Sequence, residues 1–438
     1  MSDIPRRRSA RNAKLASIPL GMAGRAAAGL GKRMVGGDRE EIRAQLSQKA
    51  ADQLFTVLGE LKGGAMKLGQ ALSIMEAAVP DKWAEPYRDA LTKLQAQAPP
   101  MPAKHVHRML DQQLGTMWRQ RFTYFDDTPA ASASIGQVHR AVWSDGREVA
   151  VKVQYPGADE ALRADLKTLG RLVGLIANVI PGIDVKPIIS ELNERTEEEL
   201  DYRMEADNQR RFAKIFNGDP NFLVPRVVAS SPKVVVTEWV DAKPLSQIIK
   251  SGSQHERNLA GELIATFHFS SPALVGLLHS DPHPGNFMLR NSEQLVVVDF
   301  GACAPLPGGL PEGLGVMLRL AAAEKFDELI DILHEHKFVI PGKQITAEEI
   351  DDYLRPFTDP IKSERFHFTR AWLQKAAGTA ASDFDAQFRT IRTLQMPPEY
   401  LMIFRVLTGS VGVCSQLSAE APYMQIAQQW LPGLADQH

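Results

Sequence analysis

Three short segments constrain this chain more than anything else in it. His279-Ser280-Asp281 is followed by Asn286, and Asp299-Phe300-Gly301 stands directly after the apolar run Leu295 to Val298. An aspartate beside a nucleophile accepts or orients a proton. Asparagine and aspartate offer the hard oxygens that Mg²⁺ prefers. A strand ending just before Asp299 fixes that carboxylate at its tip. A lone D-F-G tripeptide carries little, because any tight turn accommodates it. The two elements at this spacing predict a hairpin, Phe287 to Arg290 and Leu295 to Val298, that turns at Asn291-Ser292-Glu293 and sets a rigid loop beside a metal ligand.

Upstream, Val149-Ala150-Val151-Lys152 reads as a strand whose apolar residues hold it while the lysine points away from them. Together the segments match the pattern that protein kinases share: H-x-D-x-x-x-x-N, D-F-G and a V-A-x-K strand. In that pattern Lys152 holds the α- and β-phosphates of ATP, Asn286 and Asp299 hold Mg²⁺, and Asp281 positions the acceptor. The lysine needs a carboxylate partner from the Glu-rich segment 187–217. Glu205 is the choice, with Asp201 four residues earlier on the same helical face. Counting back from Val138 with the G-x-G-x-x-G-x-V template puts Gly136 at the third glycine and Ala131 and Ala133 at the first two. With Ser134 between them, the loop still offers N–H donors, but a Cβ at two positions restricts the backbone that glycine would permit. Glu238 to Val240, around Trp239, stands where main-chain groups of a hinge would meet adenine.

The rest of the 438 residues fits an α+β chain. A composition of 44% hydrophobic and 23% charged residues is that of a globular chain, not a disordered or fibrous one. Two cysteines, Cys303 and Cys414, exclude a disulfide scaffold. The net charge of −2 selects no nucleic acid, but it is unevenly spread. Residues 1–33 hold eight basic side chains against Asp3 alone, a composition suited to an anionic membrane surface. Helical periodicity is expected over 42–78, Pro86 to Gln95, 103–120, 158–180 and 187–217. Strands are expected at Val138–Val142, Glu148–Val153, Val224–Val228 and Val234–Val240. This order predicts a basic arm (1–41), a helical extension (42–121), a β-rich lobe with inserted helices (122–240) and a helical lobe (241–438). No segment reads as a membrane span; Leu169 to Ile183 is the best candidate, and it is short and holds Arg171. His105-Val106-His107 reads as a surface pair and Cys303 as a small buried residue.

These residues together resemble the UbiB/AarF family of atypical kinase-like proteins over about residues 50 to 420. Lys67-Leu68-Gly69-Gln70 matches the family's K-x-G-Q motif, Ala130 to His139 its Ala-rich nucleotide loop, and Glu199-Leu200-Asp201 its E-x-D motif. Glu205-Ala206-Asp207-Asn208 looks like the segment that supplies the lysine's partner. The resemblance implies a bilobal protein-kinase-like fold with an N-terminal helical extension. It implies that the helix carrying Lys67 and Gln70 lies over the cleft, with Lys67 held near Glu199 and Asp201. On an ideal helix residues two apart point about 200° apart, so Asp201 is favoured over Glu199. The family is linked to ATP binding and hydrolysis and to isoprenoid-quinone biosynthesis at membranes. The resemblance therefore implies an ATP-hydrolysing atypical kinase using Mg²⁺, with a lipid or quinone-like client. It would be cytoplasmic, attached peripherally at the inner face of the cell membrane, since residues 401–438 show no pair of apolar spans. Two other readings stay open: a non-catalytic nucleotide-sensing protein, and a conventional protein kinase. The Ala-rich loop and the missing A-P-E segment after Gly301 speak against the latter. The client and the oligomeric state are not readable.

Overall fold

The computed structural model describes residues 100–133, 135–160, 163, 200–354, 358–382, 390 and 393–435. The expectations for the basic arm, for the helices over 42–78 and Pro86 to Gln95, and for most of 158–199 lie outside them. The chain divides into two compact units. One comprises Met1–Trp118, Phe125–His139 and Lys152–Leu200, the other Arg119–Tyr124, Arg140–Val151 and Asp201–His438.

Helix α1 spans Ala103–Leu114, shorter than the expected 103–120. Gly115, at φ 89°, takes a backbone that other residues rarely adopt, and a 3-10 turn, Trp118–Arg121, follows. Strands β1 (Phe122–Ala133), β2 (Gly136–Trp143) and β3 (Glu148–Gln154) then lead into a five-stranded sheet that also takes β5 (Val227–Ser231) and β6 (Val234–Glu238), in the order β1-β2-β3-β6-β5. The β2–β3 turn is the expected one, with Gly146 at φ 90°. In β3 the burial alternates: Val149, Val151 and Val153 are buried, while Lys152 on the opposite face is half-buried. In β2 the inward positions are Gln137, His139 and Ala141, so two polar side chains occupy core positions.

Helix α2 (Tyr202–Ile215) opens the second run of structure. It carries a buried stripe of Tyr202, Glu205, Ala206, Gln209 and Phe212 at helical spacing. Within the described part of the helix expected over 187–217, the run is broken at Asp201. Asp201, at φ −111° and ψ 98°, is extended and caps α2 by accepting from the Arg203 N–H. Strands β4 (Phe222–Leu223), β5 (Val227–Ser231), β6 (Val234–Glu238) and β7 (Lys243–Pro244) follow. The expected hairpin of β5 and β6 is present, antiparallel, with a register shift between Val227 and Ala229.

Helices α3 (Leu245–Ser251) and α4 (Gln254–Val275) come next. Ser253 and Glu256 form a reciprocal capping box that starts α4, and Gly276 in the left-handed region ends it. Removing that cap in Ser253→Ala is expected to lower stability by about 1 kcal/mol, seen as a shift in the urea midpoint. Strand β8 (Leu277–His279) pairs with β11 (Cys303–Pro305), and β9 (Phe287–Arg290) pairs with β10 (Gln294–Val297). The β9–β10 turn uses Asn291 and Ser292 at φ 52° and 56°. The four-stranded sheet has the order β4-β10-β9-β7, with β4 and β10 parallel. Beneath it Phe212, Phe216, Phe222, Phe267, Phe287 and Phe300 share one buried core.

The remainder is mainly helical: α5 (Glu312–Ala322), α6 (Phe326–Glu335), α7 (Ala347–Leu354), α8 (Asp359–Lys362), α9 (Arg370–Ser382), α10 (Pro398–Leu417) and α11 (Tyr423–Trp430). Two short strands, Phe366–His367 and Glu420–Ala421, pair between them. Against the expectation of no candidate span, α10 is long and apolar enough to cross a membrane, by length and composition only. Its most apolar window is 61% buried inside the protein, as in a core helix. Gly409 on α10 lies so close to the loop after β8 that a Cβ there would stand 2.5 Å from Pro282 Cγ.

Candidate active site

The loop between β8 and β9 is held at nearly every residue. The Ser280 N–H donates to the Ala302 carbonyl at 2.9 Å, and the His283 N–H to the Asp281 carbonyl at 2.8 Å. His283 caps a short 3-10 turn, Pro284–Asn286, by accepting from the Gly285 N–H through Nδ1 at 3.0 Å. Asn286, 7% exposed, turns its amide back onto Asp281: Nδ2 donates to the carboxylate Oδ2 at 2.9 Å and to the carbonyl at 3.1 Å. The Asp281 side chain is therefore oriented by a buried amide, on a loop further stiffened by two prolines.

Asp299 stands two residues beyond β10. Its Oδ1 accepts from the Gly301 N–H at 2.9 Å. Its carbonyl accepts from His279 Nε2 at 2.7 Å, so the fully buried His279 ties the start of this loop to the Asp-Phe-Gly segment. Burial holds the pKa of His279 below the ordinary range, against the pull of the Asp299 carbonyl and of both carboxylates, Asp281 and Asp299. The same two carboxylates oppose the burial that lowers His283. Behind them His268 on α4, also buried, is pushed down to about 3 by desolvation and by His279. Phe300 stacks into the core against Phe212, at 4.8 Å between centroids, and its carbonyl accepts from Asn208 Nδ2 on α2 at 3.2 Å.

This donor set suits Mg²⁺. Among the described residues no group of three or more His, Cys, Asp or Glu could hold a metal alone. Asn286 and Asp299 supply two hard oxygens, and Mg²⁺ characteristically takes one or two such ligands from protein and the rest from phosphate and water. With the Asn286 nitrogen engaged on Asp281, its oxygen is the atom available to a cation.

The other expected residues fall as follows. Glu205 is 4% exposed, in the first turn of α2. It is therefore no solvated helix residue, unlike Asp207, which is exposed and paired with Arg210. Asp201 does not share the Glu205 face as a helical neighbour. It lies outside the helix and binds the Arg203 guanidinium, with Nη2 to Oδ2 at 2.6 Å, which holds its carboxyl below the usual range. Gln154, two residues after Lys152 on β3 and buried, donates to the carbonyl of Leu200, the middle of the E-x-D motif, at 3.1 Å. In the nucleotide loop, Ala131 and Ala133 belong to the end of β1 rather than to a free loop, and Gly136 opens β2. Val138, half-buried, faces away from Gln137 and His139. Ser134, Glu199, Lys67 and Gln70 lie outside the described residues.

At the expected hinge, the Trp239 N–H is committed to the Glu148 carbonyl at 3.0 Å, which takes it out of contention for a base. The Trp239 ring packs under Arg140, 4.9 Å from its guanidinium. The Glu238 carboxylate accepts from the Arg226 N–H at 3.2 Å and stands 3.7 Å from Arg147. The half-buried Val240 follows directly after Trp239. His279 and Asn208 stood inside quoted motifs with no structural role assigned to them, and Gln154 was not singled out from sequence. His279 and Gln154 are a buried imidazole and a buried amide in or next to a motif, and a polar side chain at an inward position is the signal that could have found them.

Comparison with known proteins bears on the family and the fold. The model of the ABC1 atypical kinase-like domain matches residues 93–319. The mitochondrial atypical kinase COQ8B of Danio rerio is 27% identical over 449 residues, covering 95% of this chain and 67% of that protein. The mitochondrial atypical kinase coq-8 of Caenorhabditis elegans is 33% identical over 319 residues, covering 69% of this chain and 41% of that protein. The chain thus spans between two-fifths and two-thirds of the length of these two relatives. A solved structure, the complex of Rv3197 with erythromycin from Mycobacterium tuberculosis, is similar with a TM-score of 0.71 and 52% identity, over 91% of this chain and all of that one. With its mixed helix and sheet, its kinase-like loop and more than half its length under the ABC1 model, the chain belongs to the UbiB/AarF family of atypical kinase-like proteins.

Proposed function

We propose that this protein binds ATP with Mg²⁺ and hydrolyses it, and that turnover gates the handling of a lipid or isoprenoid-quinone-type client at a membrane. The observation that carries the reading is the Asn286–Asp281 hydrogen bond at 2.9 Å beside the His279–Asp299 link at 2.7 Å. Together they hold one oriented carboxylate and two metal-type oxygens on a single stiffened loop system. When bound, Mg²⁺ neutralises phosphate charge as the terminal phosphoryl group departs. Asp281 orients the attacking water or a small acceptor hydroxyl. Asn286 and Asp299 fix the cation, Lys152 contacts the α- and β-phosphates, and buried Glu205 orients the lysine. The main chain of Ala131, Ala133, Ser134 and Gly136 meets the phosphates, Val138 the base, and Glu238 and Val240, but not Trp239, its edge. Lys67, Gln70, Glu199 and Asp201 regulate access.

The client class draws on the family resemblance. The erythromycin complex of the 52%-identical relative favours a second one, a bulky macrolide-like ring. The deciding assay is ATP hydrolysis by wild type, by Asp281→Asn and by a variant lacking residues 1–33, with and without anionic liposomes. Wild type is expected to turn over ATP faster with liposomes. Asp281→Asn is expected to lose at least about a hundredfold, the scale of a positioned acid–base group. Nucleotide binding without turnover in every condition would establish the sensor reading instead. An unchanged liposome response in the truncated protein would remove the basic arm from the mechanism.

A further inference from the structure

Gln137 and His139 fill core positions on β2, immediately after the glycine of the nucleotide loop, and both are fully enclosed. Polar side chains there must be hydrogen-bonded, and their partners form one directed chain. Gln137 Oε1 accepts from the Met101 N–H at 2.7 Å, and its Nε2 donates to the Met101 carbonyl at 3.3 Å. The same Nε2 contacts His139 Nε2 at 2.8 Å, and His139 Nδ1 contacts the Asp126 carbonyl on β1 at 2.8 Å. An amide nitrogen only donates and a carbonyl only accepts. His139 is therefore neutral, with its proton on Nδ1 and its Nε2 lone pair toward Gln137.

The other end of the chain is equally particular. Met101 sits in Pro99-Pro100-Met101-Pro102, and proline has no N–H. The Met101 amide is thus the only main-chain donor in the joint, and Gln137 captures it. This joint leads from residues 42–99, which carry Lys67 and Gln70, into the kinase-like body. On the other side of Gly136, the Ile135 carbonyl accepts from the Tyr155 N–H at 2.9 Å. The nucleotide loop is thus anchored at 135 to the chain leaving β3, and at 137 to the joint.

We propose that Gln137 is a positioning residue that couples the Pro-rich joint to the nucleotide loop, and that protonation of His139 uncouples them. The inference rests on residues 130–138 being a nucleotide loop. A proton on His139 Nε2 would meet the Gln137 amide donor to donor. The amide would have to turn over, presenting its nitrogen to the Met101 N–H and breaking the clamp. The groups facing His139 are Asp126 and Asp127 on β1 and His107 on α1, whose Nε2 lies 2.6 Å from Asp127 Oδ1. The two aspartates raise the His139 pKa and His107 lowers it; burial, the largest influence, sets it below 6.5. Uncoupling therefore occurs on the acid side of neutrality. By linkage, nucleotide must strengthen the clamp as much as the clamp strengthens nucleotide binding.

The test compares full-length wild type with Gln137→Met and His139→Gln. A glutamine at 139 can accept from Gln137 and donate to the Asp126 carbonyl, but it does not titrate. Mg–ATP affinity is measured from pH 7.5 to 5.5, and amide exchange at Met101 is followed with and without Mg–ATP. Gln137→Met is expected to weaken ATP binding about tenfold at neutral pH, the scale of a buried amide's lost partners, and to expose Met101 to exchange. His139→Gln is expected to bind as wild type at pH 7.5 and to hold its affinity on acidification while wild type loses it. Protonation of ATP itself affects both proteins alike and cancels in their ratio. Saturating Mg–ATP is expected to slow Met101 exchange at pH 7.5 in wild type and in His139→Gln, but not in Gln137→Met. Wild-type binding by a folded Gln137→Met, or parallel pH profiles of wild type and His139→Gln, overturns the proposal. Failure of wild type to bind ATP overturns the nucleotide reading instead. The clamp is then judged by exchange alone, and unchanged Met101 and loop amides in Gln137→Met would refute it.

Discussion

Asp299→Asn is expected to lower Mg²⁺-dependent ATP turnover by about 10²- to 10³-fold, the scale on which one placed electrostatic group acts in a transition state. The change removes a unit of negative charge where the cation is to be held. It keeps the link to His279, which uses the Asp299 carbonyl and not its carboxylate. The bond from the Gly301 N–H to Oδ1 survives with an amide oxygen in place of the carboxylate. The melting temperature should therefore stay close to wild type while the Mg²⁺ concentration for half-maximal turnover rises. Hydrolysis that keeps its wild-type Mg²⁺ dependence would remove Asp299 from the metal site.

Gly409→Ala should be nearly as damaging to turnover, from a residue far away in sequence. The added Cβ would stand 2.5 Å from Pro282 Cγ, inside any real contact distance. Pro282 is a ring fused to the main chain beside Asp281, so it cannot swing aside as a flexible side chain would. Either α10 or the catalytic loop must move. The next residue on α10, Ser410, holds its helix to α4 through its 3.1 Å contact with His268. The loop is thus the part expected to yield. A displacement of about 1 Å at a reacting group costs on the order of 10²-fold. The expected signature is a fall in kcat with nucleotide affinity within about threefold, the phosphate-binding loop and Lys152 being untouched. Wild-type kcat would show that the loop position is not set by α10.

Much of this site was legible because its parts are local. The β9–β10 hairpin announced itself through Asn291-Ser292 between two apolar runs, and those two residues take the positive φ the turn needs. Asp281, Asn286 and Asp299 lie on consecutive elements joined by that hairpin, so short-range spacing placed them. What failed to be legible was set by tertiary context. The Glu-rich run up to Ile215 has helical periodicity throughout, and nothing local says that Asp201 stops being helix. It does so by serving as a cap, the role its short side chain fills best. Thr128 to Ala133 has weak strand propensity and still extends β1, an override by sheet pairing. The apolar helix α10 carries Arg405, which argued against a span without revealing that Gly409 packs against Pro282 in the loop after β8. Gln137 and His139 looked like filler in a template, because a single sequence does not show which strand face points inward.

The support of Pro282 by Gly409 has a bearing on biosynthesis. Every group with a proposed part in phosphate chemistry has left the ribosome once the Asp-Phe-Gly segment has. The helix that packs against Pro282 is nonetheless made later, at Pro398–Leu417. Since chains fold progressively from the N-terminus during synthesis, the nascent protein passes through an interval with these groups present and the α10 support of the loop still missing. ATP turnover by a ribosome-bound chain should therefore switch on late and abruptly, when Gly409 clears the exit tunnel, rather than grow as the lobe is completed.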